Sequence, residues 1–201
     1  MSAMKLAYGC APLLLVAACS GGPSVVNTDD TPPAGTPTAQ PAPSTTRPSN
    51  AHLANAFHFA ARVDGATGYY FTTPSGRWQC AILPRAKAGC ENANSPTSAV
   101  AITGAPDEVD GSDGEPGVPN AIVVDRGGDP RFVAQSPPEF GPDQGAATVL
   151  PFNRILAVAG FRCNVQEANG VSCMSEASGK GFTFSAEGHA MTYTDVPADA
   201  P

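Results

Sequence analysis

Basic side chains are scarce in this chain of 201 residues: 11 Lys and Arg stand against 18 Asp and Glu, a formal net charge of −7. So acidic a background does not neutralise phosphates, which argues against nucleic acid as a partner and against a protein that lies flat on anionic lipid. Aromatic residues make up only 7%, with a single Trp, a poor lining for the large apolar cavity that a lipid carrier needs. No apolar run reaches the roughly 20 residues of a membrane-spanning helix. Long amphipathic helical patterns are missing as well, which points away from an all-α fold. From Ser20 to Asn50 there is no Leu, Ile, Met or aromatic residue, while Pro recurs at 23, 32, 33, 37, 41, 43 and 48. A stretch of that composition cannot build a core.

What is present begins with Lys5 and the apolar run Leu6 to Ala18, short enough to be a signal-peptide core. It ends in Val16-Ala17-Ala18-Cys19, which resembles a bacterial lipobox at every position. The resemblance implies a signal peptide over residues 1–18, and Cys19 as the acylated first residue of the mature chain. One acyl chain holds a membrane only marginally, at about 0.8 kcal/mol per buried CH2, so an anchor of this kind carries two or three. Loss of Lys5 leaves 10 basic against 18 acidic residues, a mature charge of −8. Residues 19–50 are then expected to be a disordered Pro- and Thr-rich tether. Its 31 residues after Cys19 span about 95 Å as polyproline II and roughly 30 Å as a flexible coil. The expected location is the membrane, lipid-anchored, facing the extracytoplasmic side.

Six cysteines are present. Cys10 is expected to leave with the signal and Cys19 to be lipidated, so Cys80, Cys90, Cys163 and Cys173 remain in an oxidising space, where an even number implies disulfides. Four cysteines permit three pairings. Both local intervals have nine intervening residues and similar flanks, which favours Cys80–Cys90 and Cys163–Cys173. No Cys-x2-Cys spacing is present to gather thiolates on zinc, and no metal or cofactor is expected.

Over residues 51–195 the pattern predicts a mainly β, disulfide-stapled domain built from two similar hairpins plus connecting strands, with a flexible tail over 196–201. Leu53, Phe57, Phe59 and Val63 open it as a short helix or strand. Tyr69 to Thr73 is a run of strand formers closed by the turn Pro74-Ser75-Gly76. Trp78 to Ile82 and Gly89 to Glu91 form the first hairpin. Ser98 to Ile102 is a further expected strand, residues 104–119 an acidic solvated loop without the ligand spacing of a calcium site, and Ala121 to Asp125 a buried strand. Phe161 to Val165 returns through Asn169-Gly170, expected as a type I′ turn, to Val171-Ser172-Cys173. Gly181 to Ser185 and Met191 to Thr194 close the series. Trp78-Gln79-Cys80-Ala81-Ile82 and Phe161-Arg162-Cys163-Asn164-Val165 share one pattern, so the second half repeats the first.

Phe71-x-x-Pro74-Ser75-Gly76-x-x-x-Cys80, Leu150-Pro151-Phe152, Phe161-x-Cys163, Gly170-Val171-x-Cys173 and Gly179-x-Gly181-Phe182-x-Phe184-Ser185 resemble an uncharacterised family of bacterial secreted proteins and lipoproteins, frequent in actinobacteria. The likeness covers residues 68 to 193. It implies the compartment and brings no activity with it.

No catalytic constellation emerges. Ser75 lacks the flanking glycines of a nucleophile elbow, and His52 and His58 are spaced six apart, unsuited to one metal on a helix or a strand. Gly179-Lys180-Gly181 is not a phosphate loop. Trp78 beside a cysteine reads as core, and Tyr69-Tyr70 as strand residues. The expected role is a cell-envelope binding or interaction module with an unknown envelope partner. A hydrolase of envelope polymers and a carrier of lipid or a small ligand are the alternatives.

Overall fold

The computed structural model describes residues 50–111, 114–143 and 145–201. The expectations placed on residues 1–49, namely the signal peptide, Cys19 and the tether, lie outside them. A 3-10 turn at Ala56–Phe59, N-capped by the Asn55 side chain, leads into β1 (Ala60–Val63), so residues 53–63 contain both helix and strand. There follow β2 (Ala66–Thr72), β3 (Trp78–Leu83) and β4 (Lys87–Asn92), the short pair β5 (Val109–Asp110) and β6 (Pro116–Gly117), then β7 (Ala121–Asp125) and β8 (Arg131–Val133). The second half holds β9 (Thr148–Val149), β10 (Ile155–Val158), β11 (Phe161–Gln166), β12 (Gly170–Ser175), β13 (Gly181–Phe184) and β14 (His189–Ala190). The domain is mainly β, as its runs of β-branched and aromatic residues dictate.

The first sheet runs β1-β2-β3-β4-β7-β8, with β9 added parallel to β2, and the second is the meander β10-β11-β12-β13-β14. Strands β4 and β7 pack against β11, β12 and β13, which makes the domain a two-sheet sandwich. Alternation along each strand sends one set of side chains inward. Phe71, Trp78, Cys80, Ile82, Ala88 and Cys90 of the first sheet share one core with Leu156, Phe161, Cys163, Val165, Val171 and Cys173 of the second. Ile122 and Val124 on β7 have Phe182 and Phe184 on β13 as counterparts, so the repeat read from two hairpins covers five strands in each half.

Each disulfide lies inside this core. Cys80 is directly opposite Cys90, and Cys163 opposite Cys173, with Cα–Cα distances of 4.0 and 4.1 Å. Such spacing belongs to the narrow pairs of an antiparallel ladder, where facing side chains come closest. The equal sequence intervals follow from equal loops: three residues separate Leu83 from Lys87, and three separate Gln166 from Gly170. The loops differ in conformation. Pro84 precedes Arg85 at φ +64° and the Ala86 amide donates to the Leu83 carbonyl at 3.1 Å, the pattern of a type II turn. At the second loop the expected type I′ turn does not form. Gly170 has φ +80° while Asn169 stays at negative φ, and a three-residue loop closed by a left-handed glycine takes its place. A side chain at position 170 would meet the Phe184 carbonyl oxygen at 2.1 Å.

Two expected strands are absent. Val100 and Ile102 are buried, but Ala101 between them takes φ +54°, which breaks the pleat, and the Val100 amide bonds the Pro119 carbonyl outside any strand. After β14, residues 191–196 cross the outer face of the second sheet instead of extending it. That face is polar, and the crossing segment satisfies it. Asn164 Nδ2 donates to the Tyr193 hydroxyl and to the Thr194 carbonyl, both at 2.9 Å, and the Thr183 hydroxyl donates to the Thr192 carbonyl at 2.8 Å. Val196, where a flexible tail is expected to begin, is buried.

Candidate binding cleft on the outer face of the first sheet

The outer face of the first sheet is covered by a different device, the Pro-rich crossing from Ser136 to Ala147, which enters through a cis Ser136–Pro137 peptide. Strand β4 presents Lys87, Gly89 and Glu91 on this face, two residues apart, and each holds the crossing differently. Lys87 Nζ pairs with Glu139 Oε2 at 2.7 Å. Gly89 leaves room for the Phe140 ring, which a Cβ there would meet at 2.3 Å, and Phe140 has no exposed surface. Glu91 Oε1 accepts from Gln79 Nε2 at 2.6 Å and from the Phe140 backbone amide at 3.3 Å. A second, smaller core of Tyr70, Ala81, Ala121, Val123 and Phe140 lies beneath the crossing.

Glu91 is 0% exposed, and its second oxygen, Oε2, has no hydrogen-bond partner. Burial raises its pKa above the ordinary carboxylate range. The bonds from Gln79 and the backbone pull the other way, and the Glu139 charge adds to the rise. The carboxyl forms part of the floor of a cleft of about 440 Å³, together with Thr72 and Gln79, whose walls include Pro96, Pro138, Pro142 and Asp143. On the other flank of the crossing a hollow of about 590 Å³ is bordered by Val63, Tyr70, Leu83 and Pro137. Burial also raises the Tyr70 pKa, with Asp143, Asp64 and Glu139 adding to it. Both hollows open to solvent; neither is a sealed apolar chamber.

The residues weighed in the sequence are placed as follows. Cys80, Cys90, Cys163 and Cys173 are all disulfide-bonded in the core. Trp78 is buried edge-on against Phe184 at 5.0 Å, with the Arg77 guanidinium 5.2 Å above its ring. Ser75 serves its turn, bonding the Thr73 hydroxyl at 3.0 Å and the Arg77 amide at 3.3 Å. His189 stands edge-on to Phe132 at 4.9 Å, and Lys180 pairs with Asp129 at 2.7 Å. Tyr70 faces outward under the crossing while Tyr69 packs at the margin of the main core. Among the described residues no three His, Cys, Asp or Glu side chains gather as for a metal, and no helix is long and apolar enough to cross a membrane.

Sequence reasoning missed Glu91, Gln79 and Asp143. The one available signal was Phe140 within a Pro-rich stretch, since a large aromatic among prolines marks a packed crossing rather than a free loop. No family model, curated protein or solved structure matches the chain, so the functional reading rests on the chemistry of this cleft and on the motifs of the sequence.

Proposed function

We propose that the chain is a membrane-anchored extracytoplasmic lipoprotein, acylated on Cys19, whose β domain is a cell-envelope binding module working through the cleft beside the Ser136–Ala147 crossing. The lipobox at Val16 to Cys19 supports the anchor, and two disulfides buried in one core suit a domain that matures in an oxidising compartment. The observation that carries the binding role is the Glu91 carboxyl, fully buried with Oε2 unpartnered at the floor of a cleft. Buried polar atoms are nearly always satisfied in a folded protein, so an unsatisfied one calls for a cause such as a water, an ion or a functional role. A binding role fits better than hydrolysis. Glycoside cleavage needs two carboxyls flanking the scissile bond, and Glu91 is engaged through Oε1 in holding the crossing.

Two measurements in the native host test this. Cys19→Ala should release the protein from the membrane fraction or leave an uncleaved precursor, and a processed variant that still needs detergent for extraction would overturn the anchor. A photo-crosslinking residue at position 143 should capture an envelope component on intact cells, while the same residue at position 167 on the β11–β12 hairpin should not. Equal yields from the two positions, or none from 143, would overturn the binding role of this face.

A further inference from the structure

The hollow on the other flank of the crossing has the Tyr70 side chain in its floor. Tyr70 keeps only 4% of its surface exposed. Its hydroxyl end lies over Gly68, where a Cβ would come within 2.8 Å of the oxygen, and both residues line the hollow of about 590 Å³. Among the described residues nothing hydrogen-bonds to that hydroxyl. Unlike Glu91 Oε2 it is not one of the sealed unpaired atoms, so the oxygen itself faces the open space. A buried ring thus carries a reachable hydroxyl to the base of a hollow, where its donor and its acceptor are left for a group from outside.

The surroundings of the hydroxyl set the charge of that group. After burial, the strongest influences on its ionisation are the carboxylates of Asp143, Asp64 and Glu139, in that order. All three line the hollow, and no Lys, Arg or His does. Basic residues on the adjoining strands and turns are engaged or set apart. Lys87 pairs with Glu139 at 2.7 Å, Arg62 Nη2 donates to the Gly65 carbonyl at 2.8 Å, and Arg85 is exposed at the tip of its turn, outside the lining. Lys87 offsets one carboxylate, and Asp64 and Asp143 leave the rim negative. An anion is repelled there. A bare metal ion is unsuited too, because no three acidic side chains among the described residues gather to ligate one. A guanidinium is best met by paired oxygens in one plane, whereas an ammonium is a point donor suited to a single phenol oxygen. Val63, Leu83, Pro84 and Pro137 add an apolar wall for the carbons attached to it. The volume is within the range of small-molecule sites, roughly 300–1,000 Å³.

We propose that this hollow binds a small amphipathic amine in its ammonium form. An N–H donates to the Tyr70 hydroxyl oxygen, the charge faces Asp64 and Asp143, and the apolar body lies against Val63, Leu83, Pro84 and Pro137. The site goes beyond the Glu91 cleft and does not rest on it.

The test is a titration of the ¹⁵N-labelled full chain with phenethylammonium chloride at about pH 7, where the probe is charged and the Tyr70 hydroxyl keeps its proton. Saturable shifts should appear at the backbone amides of Gly68, Tyr70 and Ala86. The alcohol 2-phenylethanol has the body without the charge, and methylammonium the charge without the body; neither should saturate where phenethylammonium does. Tyr70→Phe keeps the buried ring and should weaken binding at least about threefold, through loss of one hydrogen bond. Asp64→Asn should weaken it as well, since Asn tolerates the left-handed backbone, φ +49°, that Asp64 takes in its turn. The site is overturned if phenethylammonium fails to saturate, if either control matches it, or if Tyr70→Phe binds undiminished. Should Tyr70→Phe not fold, undiminished binding by Asp64→Asn overturns it in the same way. A silent titration beside productive crosslinking from position 143 overturns the ammonium site and leaves the binding module standing, and a saturable titration beside silent crosslinking does the reverse.

Discussion

Glu91 illustrates how one side chain takes its character from a segment remote in sequence. On β4 it alternates outward with Lys87 and Gly89, a position that a solvated sheet face would leave exposed, and Phe140, 49 residues later, buries it. Because burial raises the folded-state pKa above the unfolded one, the sign of the pH effect is set. The favourable contribution is fully present below the ordinary glutamate value of about 4.3 and is lost as pH climbs through the raised value. Glu91→Gln cannot ionise. The stability of the native protein should therefore decline relative to Glu91→Gln as pH rises through that interval, and the difference should be flat below it, as measured by urea unfolding across a pH series. Parallel curves for the two proteins would show that the carboxyl is not desolvated by the crossing. The four core cysteines were legible because their spacing is a property of local sequence. Glu91 was not, because strand alternation says which way a side chain points and nothing about what later covers it.

At the scale of elements, the inner faces of the two halves correspond almost residue for residue, whereas the outer faces do not. Cys80 matches Cys163 and Cys90 matches Cys173, but Gln79 stands where the second half has Arg162, and Glu91 where it has Met174. Inner positions answer to one shared core, while outer positions answer to two different covers, the Ser136–Ala147 crossing and residues 191–196. Hence the hairpins and their staples were readable from the pattern of one face. The strand expected at 98–102 was not excluded by any local rule, since an alanine gives no signal of the left-handed backbone that Ala101 takes between the buried Val100 and Ile102. The staples should have similar worth. Each closes a loop of ten residues of sequence separation, so replacing both cysteines of either hairpin with Ala should cost about 2.5–3 kcal/mol in the chain-entropy model, read as a lowered denaturant midpoint. A loss below about 0.5 kcal/mol at either hairpin would mean that the unfolded chain is constrained there by something other than the bridge.

Across the whole domain, the repeat raises the question of whether two similar halves fold as two units or as one. Each sheet has its own disulfide and its own outer cover, features that favour independence. The core argues the other way. Side chains from both sheets, including all four bonded cysteines, form a single buried cluster, so either sheet alone would expose its inner face, with Phe71, Trp78 and Ile122 on one side or Phe161, Phe182 and Phe184 on the other. Each large side chain contributes about 1.5–3 kcal/mol on burial. Separation would forfeit several of these at once, an amount comparable to the 5–15 kcal/mol by which a domain is ordinarily stable. The connections reinforce the coupling: β9, from the start of the second half, pairs in parallel with β2, and the Ala54 amide donates to the Ile155 carbonyl at 2.8 Å. The domain should consequently unfold in one cooperative transition, with calorimetric and van't Hoff enthalpies equal and with Trp78 fluorescence and far-ultraviolet circular dichroism changing together. A mutation confined to one half should shift that single transition without splitting it. Two resolved transitions, or a fluorescence midpoint for Trp78 that moves apart from the dichroism midpoint in the Cys163→Ala/Cys173→Ala variant, would show that the halves keep separate stabilities despite the core they share.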